Sequence, residues 1–513
     1  MVRYRHFTEV INLRNYLKKI TVLASASCLL LSGCSHTYTG VPGIIYDYLE
    51  EVAESQEEYE EADIWSWPDT DEHEESYDWD DDDYQVADSN AEPGTVTIYV
   101  YMNGSNLETE SGFATEDILE MLDAGYSENV NVLIQTMGTK YWSKKLGIKS
   151  DRSQTYHVGE DGLELVRDNL GQLDCTIPET LRDFIRYGAQ EYPASRNILI
   201  LWDHGGGPAY GFGWDEFQDD WENLSVDEMV KALNGCGVHF DFIGMDACIM
   251  SCLEVAYPLR NYCDYMILSE DFESCLGWYY TDWLEALYEN PSISTYDLGK
   301  IIVDDMVSEN EHNRFYGDRS ILALIDESKI EKLWNVWTEF AYANEEALLS
   351  TNFSQDMEET GKGLGLSERF RERNGNKVFD FLMDEMIDYL EEYDLDEFYD
   401  SDEVYISDYC ITDLMGLAHI IDSDMSEKLA IAADKALLYV SATSDNLSLT
   451  GISVTLPYND RMLYNDLADV LENCDFDEEY IEWLEKFCEI RNDRDTVDWG
   501  EWGREIWSEW GDR

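Results

Sequence analysis

The chain of 513 residues is short of positive charge. Only 34 Lys and Arg stand against 110 Asp and Glu, a formal net charge of -76. Such a surface repels phosphates, which excludes nucleic acid as a partner. It favours basic partners or substrates, although the same charge also serves solubility. The bases are unevenly placed, and no Lys or Arg falls between Lys19 and Lys140. Asp47 to Glu92 holds 21 acids, with DWDDDDY at 78–84. Like charges repel, so residues 34–93 read as an acidic disordered tether that holds a globular part away from a surface. A calcium-binding or propeptide-like segment is the alternative reading of this block.

The N-terminal apolar segment ITVLASASCLLL (20–31) has 12 residues. That falls short of the roughly 20 needed to cross a bilayer. Arg3, Arg5, Arg14, Lys18 and Lys19 precede it and LSGC (31–34) follows. The pattern is that of a secretory signal over 1–33, and LSGC resembles a bacterial lipobox. The expectation is a lipoprotein, lipidated on Cys34 and held on the outer face of the cell membrane through that anchor alone. An ordinary signal with a chance cysteine is the competing reading.

No CxxC pair is present among the eleven cysteines, and Cys248-x3-Cys252 lacks partners for zinc. No metal ligands are therefore expected. After Cys28 and Cys34, nine cysteines remain from Cys175 to Cys488. An odd number outside the cytoplasm leaves at least one thiol unpaired, so a reactive cysteine is expected.

What is present is an alternation of strands and helices. Strands are expected at 95–102, 129–137, 197–203, 240–247 and 264–270, with an edge hairpin near 149–158. Helices are expected at 111–125, 177–192, 224–235 (capped by Ser225) and from about Ile249 to Leu259. Further helices are expected across 325–350, 376–392 and 425–440, and a returning strand over 449–460. Several strands are apolar throughout, which indicates a parallel sheet covered on both faces. Trp499, Trp502, Ile506, Trp507 and Trp510 fall on one helical face near the C-terminus.

Two strand ends carry the chemistry. NILILWDHGGG (197–207) closes an apolar run on Asp203, His204 and three glycines, and FDFIGMDAC (240–248) closes one on Asp246, Ala247 and Cys248. Consecutive strands of a parallel sheet lie about 4.8 Å apart, and sites form at their carboxyl ends. His204 and Cys248 would then meet as base and nucleophile. A helix starting at Cys248 would favour the thiolate. Gly205 and Cys248 N–H groups would hold an oxyanion. Asp246 either recognises a basic side chain or, like Asp203, orients His204.

These motifs resemble the clostripain family of cysteine peptidases, relatives of caspases, gingipains and separase. The resemblance rests on LILWDHGGG, GFGWDE, GMDACIMSCLEVAY, YVYMNGSNLE (99–108), LSEDFESCLGWYY (268–280) and GISVTLP, and covers residues 95–460. It implies an α/β fold, a caspase-like α/β/α sandwich with a mostly parallel central sheet and additional helices in the C-terminal half. The peptidase domain would span 94–470, followed by an acidic, Trp-rich helical tail at 471–513. It implies a His204–Cys248 dyad and cleavage after Arg or Lys. Asp246, Ser269, Glu270 and Trp278 would bind substrate. No cofactor is required, and calcium is left open. Two positions depart from the family. Asn106 stands where Asp is usual, and Ser274 and Cys275 replace the Pro-Gly that precedes Gly277 and Trp278. The alternatives are a non-catalytic binding lipoprotein on the same scaffold and a hydrolase or acyltransferase acting on something other than protein, such as wall peptide.

Overall fold

Runs of β-branched and aromatic residues form eleven strands among the described residues. These are β1 (Glu92–Asn103), β2 (Val130–Met137), β3 (Gln154–Gly159), β4 (Gly162–Arg167), β5 (Ala194–Trp202), β6 (Phe240–Asp246), β7 (Cys263–Ser269), β8 (Ile321–Asp326), β9 (Ile411–Asp413), β10 (Leu437–Ala442) and β11 (Ser453–Thr455). The structure is a computed structural model and describes residues 91–168, 170–218, 223–274, 276–312, 320–349, 411–421, 423–443, 449–458 and 460–489. The signal segment, Cys34, the tether to residue 90, the helix expected at 376–392, Cys275 and the tryptophan stripe lie outside them.

Nine strands make one sheet in the order β10-β8-β7-β6-β5-β1-β2-β3-β4. The central five, β7 to β2, are parallel. The outer strands are antiparallel, including the β3–β4 edge hairpin. Alternate residues feed two cores. Tyr99, Tyr101, Leu199 and Leu201 face the helices Pro178–Glu191 and Val226–Cys236. Ile98, Val100, Ile198 and Ile200 face Phe113–Asp123, Tyr280–Glu289 and Thr295–His312. Burial on both sides explains why these strands are apolar throughout. The result is the expected α/β/α sandwich.

The chain runs from β1 to β2 on one side and returns to β5 on the other, so the strand order reverses between β1 and β5. A crevice opens at the carboxyl ends of the strands at such a point.

Four expectations change. The segment 449–460 contributes β11, which pairs with β9 in a separate sheet and not with the central strands. The apolar runs of β8 and β10 are strands that the helical readings of 325–350 and 425–440 overlap, and helix follows β8 at Ile330 and precedes β10 up to Ala436. The helix after β6 starts at Leu253, four residues later than expected. Ser251 and Cys252 are committed to extended pairing instead. Ser251 N–H donates to Ser269 O at 2.8 Å, and Ser453 N–H to Ser251 O at 2.9 Å. Finally, the helix Arg461–Asn473 runs through the boundary drawn at 470/471. Tyr480 and Trp483 beyond it stack within the core that holds Trp334 and Trp337. Through residue 489 that boundary separates no packing units.

Candidate active site

β5 and β6 pair in register from Ile198–Phe242 to Trp202–Asp246. His204 and Cys248 each stand two residues past the last pair, so they leave the sheet side by side. Asp203 N–H donates to Asp246 O at 3.3 Å and closes the ladder. Gly205 follows His204, and a Cβ there would lie 2.0 Å from the Cys248 carbonyl oxygen. Only glycine lets the two strand ends approach this closely. Gly205 is bridged to Phe212 by bonds of its neighbours: Gly206 N–H to Gly211 O at 2.8 Å and Gly213 N–H to His204 O at 2.9 Å. In such a pair the N–H of Gly205 itself turns away from Phe212.

Cys248 sits on a turn, and Ile249 after it is left-handed, with φ of 54°. A β-branched residue seldom adopts that conformation. It is held by Ile249 N–H donating to Asp271 O at 3.0 Å. Because the helix begins only at Leu253, its dipole does not bear on the sulfur. The sulfur instead receives Glu273 N–H at 3.2 Å and lies 4.0 Å from Glu273 O. None of the seven described cysteines is disulfide-bonded.

The imidazole partner is one the sequence reading did not select. His204 Nε2–H donates to Asn106 Oδ1 at 2.8 Å. Asp203 turns elsewhere, accepting from Ser105 Oγ and from Trp214 N–H, each at 2.7 Å. Asp246 accepts Trp278 N–H at 3.2 Å and Tyr280 Oη–H at 2.9 Å. Its carboxyl also bonds that of Glu273, and burial pushes both acids above the usual carboxylate range. Asp117 and Glu120 add negative charge nearby, and burial raises them too. No described ion pair involves any of these four acids. The cluster is a set of buried acids with no basic partner among the described ion pairs, next to the turn that carries Cys248.

Three expected substrate contacts become scaffold. Ser269 is fully buried, its hydroxyl within hydrogen-bonding distance of Asp271 O at 2.8 Å and Ile321 O at 2.9 Å, either of which can accept its one proton. Glu270 is 3 % exposed and accepts Gly451 N–H and Ser453 Oγ–H, both at 2.6 Å, so it ties the β9–β11 sheet to this loop. The Trp278 ring is buried in the core, packs over Gly244 and reaches the Glu273 carboxyl, while its backbone N–H donates to Asp246. Glu273, three residues beyond Glu270, turns its backbone to Cys248 and its carboxyl to Asp246. Among the described residues, no group of three or more His, Cys, Asp or Glu is arranged to hold a metal ion. Nor is any described helix long and apolar enough to cross a membrane.

Buried acids give the fold a testable pH dependence. Burial raises Asp203 to about 6, and Glu254, fully buried against Tyr480 and β11, to about 7. Both values lie above those of the unfolded chain. The native state therefore holds extra protons between pH ~4 and 7, and stability falls as pH rises through that window. Each group costs on the order of 3 kcal/mol once ionised. The melting temperature should be several degrees higher at pH 5 than at pH 8, and Glu254→Gln should shrink the difference. An unchanged or rising melting temperature from pH 5 to 8 would contradict this.

Comparison with known proteins agrees with this fold. The model of the clostripain family matches residues 100–452. Among solved structures, a secreted C11 cysteine protease from Bacteroides thetaiotaomicron, in complex with an irreversible peptide inhibitor, is 16% identical with a TM-score of 0.50, and the match covers 75% of this chain and 100% of that one. An inactive zymogen C11 protease from Parabacteroides distasonis is 17% identical with a TM-score of 0.50, covering 76% of this chain and 97% of that one. No curated protein matches. With a mostly parallel sheet of this order and a family match over residues 100–452, the chain belongs to the clostripain family of cysteine peptidases.

Proposed function

We propose that this cysteine peptidase is an endopeptidase that cleaves after Arg or Lys, with Cys248 as nucleophile and His204 as its base. The observation that supports the reading is the placement of each residue two positions beyond the last β5–β6 pair, with Gly205 against the Cys248 backbone. With Nε2–H committed to Asn106, Nδ1 is the ring nitrogen that takes the thiol proton. Sulfur then attacks the peptide carbonyl carbon, and the oxyanion sits against the N–H groups of Gly205 and Cys248. His204 returns the proton to the departing amine, and water, activated by the same imidazole, hydrolyses the thioester.

Recognition of the residue before the scissile bond (P1) rests on the Asp246–Glu273 pair. Two buried carboxyls in contact share a proton at neutral pH. A P1 guanidinium or ammonium supplies the missing positive charge and displaces that proton. Cleavage profiling with a peptide library tests the reading. Cuts should follow Arg or Lys, and cuts spread evenly over uncharged residues would reject the preference. A folded protein with no cuts at all would instead favour the binding scaffold.

The chain is proposed to act at the cell surface, anchored through Cys34. The basis is the basic N-terminal segment, the 12-residue apolar run and LSGC. Cys34→Ser should move the protein from the detergent phase to the aqueous phase or leave it unprocessed. Unchanged partitioning of the mature protein would exclude lipidation at this residue.

A further inference from the structure

The geometry points to Asn106 as the residue that positions the imidazole of His204, an inference that rests on the dyad proposed above. Two dipeptides from neighbouring strands face each other, Ser105–Asn106 after β1 and Asp203–His204 after β5. They are joined by two hydrogen bonds, Ser105 Oγ–H to Asp203 Oδ1 at 2.7 Å and His204 Nε2–H to Asn106 Oδ1 at 2.8 Å. Each bond fixes the residue adjacent to a member of the other. The clasp is buried on its Asp203–Ser105 side. Trp214 N–H on the second Asp203 oxygen holds the carboxylate in place.

The backbone is bent to make this contact. Ser105 is left-handed with φ of 42°, a conformation costing on the order of 1 kcal/mol or more for a residue with a side chain. Gly104 before it packs so closely on Thr139 that a Cβ would lie 2.9 Å from it. The turn thus delivers Asn106 to the ring instead of letting β1 continue. A neutral amide in this place fixes the tautomer and the ring plane without adding charge. The titratable groups around the ring are Asp203 beside it in the chain and Cys248 on the facing turn, with Glu273 behind the sulfur. Asn106 adds a neutral hydrogen-bond partner to this set, and its amide oxygen holds Nε2–H.

The test compares wild type, Asn106→Ala and Asn106→Asp as full mature chains, using a fluorogenic peptide ending in Arg and the rate of Cys248 alkylation by iodoacetamide across pH. Removing the amide should lower kcat by about 10–100-fold with KM changed less than about twofold, because orientation and not binding is lost. Asn106→Asp should keep most of the activity. Its carboxylate stabilises the imidazolium, so the alkaline limb of kcat/KM should move up by about one pH unit. The alkylation profile should shift the same way, and it reads the dyad without turnover. A kcat for Asn106→Ala within twofold of wild type, or unmoved limbs in Asn106→Asp, would overturn the inference. If Asn106→Ala unfolds, the near-isosteric Asp variant decides alone. Failure of the dyad itself is distinct: wild type would then show neither Cys248-dependent cleavage nor fast alkylation at Cys248.

Discussion

Cys248→Ala should remove peptide cleavage altogether, a loss of at least ~10⁴-fold in kcat, while leaving the melting temperature within a few degrees of wild type. The thiolate is the only nucleophile in the proposed path. The turn that carries it is fixed by backbone bonds, Ile249 N–H to Asp271 O and Asp203 N–H to Asp246 O, which the substitution leaves intact. His204→Ala should lose nearly as much. The double variant should be little worse than either single one, because nucleophile and base act as a unit. The measurement is kcat on an Arg-ended peptide, with a thermal melt as the control for folding. Turnover above background in Cys248→Ala with an unchanged P1 preference would mean that another residue does the chemistry.

Asp246→Asn should lower kcat/KM for Arg and Lys substrates by roughly 10²-fold or more, the cost of removing one partner of a buried charge pair. The structure adds a second effect. The Asp246 carboxylate accepts from Trp278 N–H and Tyr280 Oη–H, and Gly277 packs so closely that a Cβ there would lie 2.7 Å from it. An amide NH₂ in this cage faces a donor on at least one side, so some stability is lost as well. An uncharged P1 substrate separates the two effects. Its kcat/KM should fall much less than that of the Arg substrate. Equal losses on both would mean that Asp246 supports the catalytic groups and does not read P1.

The sandwich could be read from the sequence because both faces of β1, β5 and β6 are buried. Their apolar runs follow directly from that, and turn residues mark each end. The placement of His204, Gly205 and Cys248 at neighbouring strand ends was legible for the same reason, since consecutive parallel strands end at one level. Asn106 was visible only as a departure from a family pattern. Its contact with His204 joins residues 98 apart in sequence and exists because β5 returns beside β1, an order that periodicity does not encode. Ser269 and Glu270 show the converse failure. Polar residues at a strand end next to the nucleophile look functional, but the β9–β11 sheet consumes Glu270, and Ser269 bonds the backbone of β8. The late helix start at Leu253 has the same origin, because Ser251 spends its backbone groups on β7 and β11, while Cys252 N–H turns back to Met250 O. Long-range pairing decided each of these, where local propensity had no say.

The most direct test of the proposed site is to treat the mature protein with an Arg-ended acyloxymethylketone and map the adduct by mass spectrometry. One adduct per chain is expected, on Cys248, lost in His204→Ala and absent with an Asp-ended probe of the same length. Adducts on half-buried Cys474 or Cys488 instead, or equal labelling by the Arg-ended and Asp-ended probes, would contradict a basic-specific peptidase site at the ends of β5 and β6.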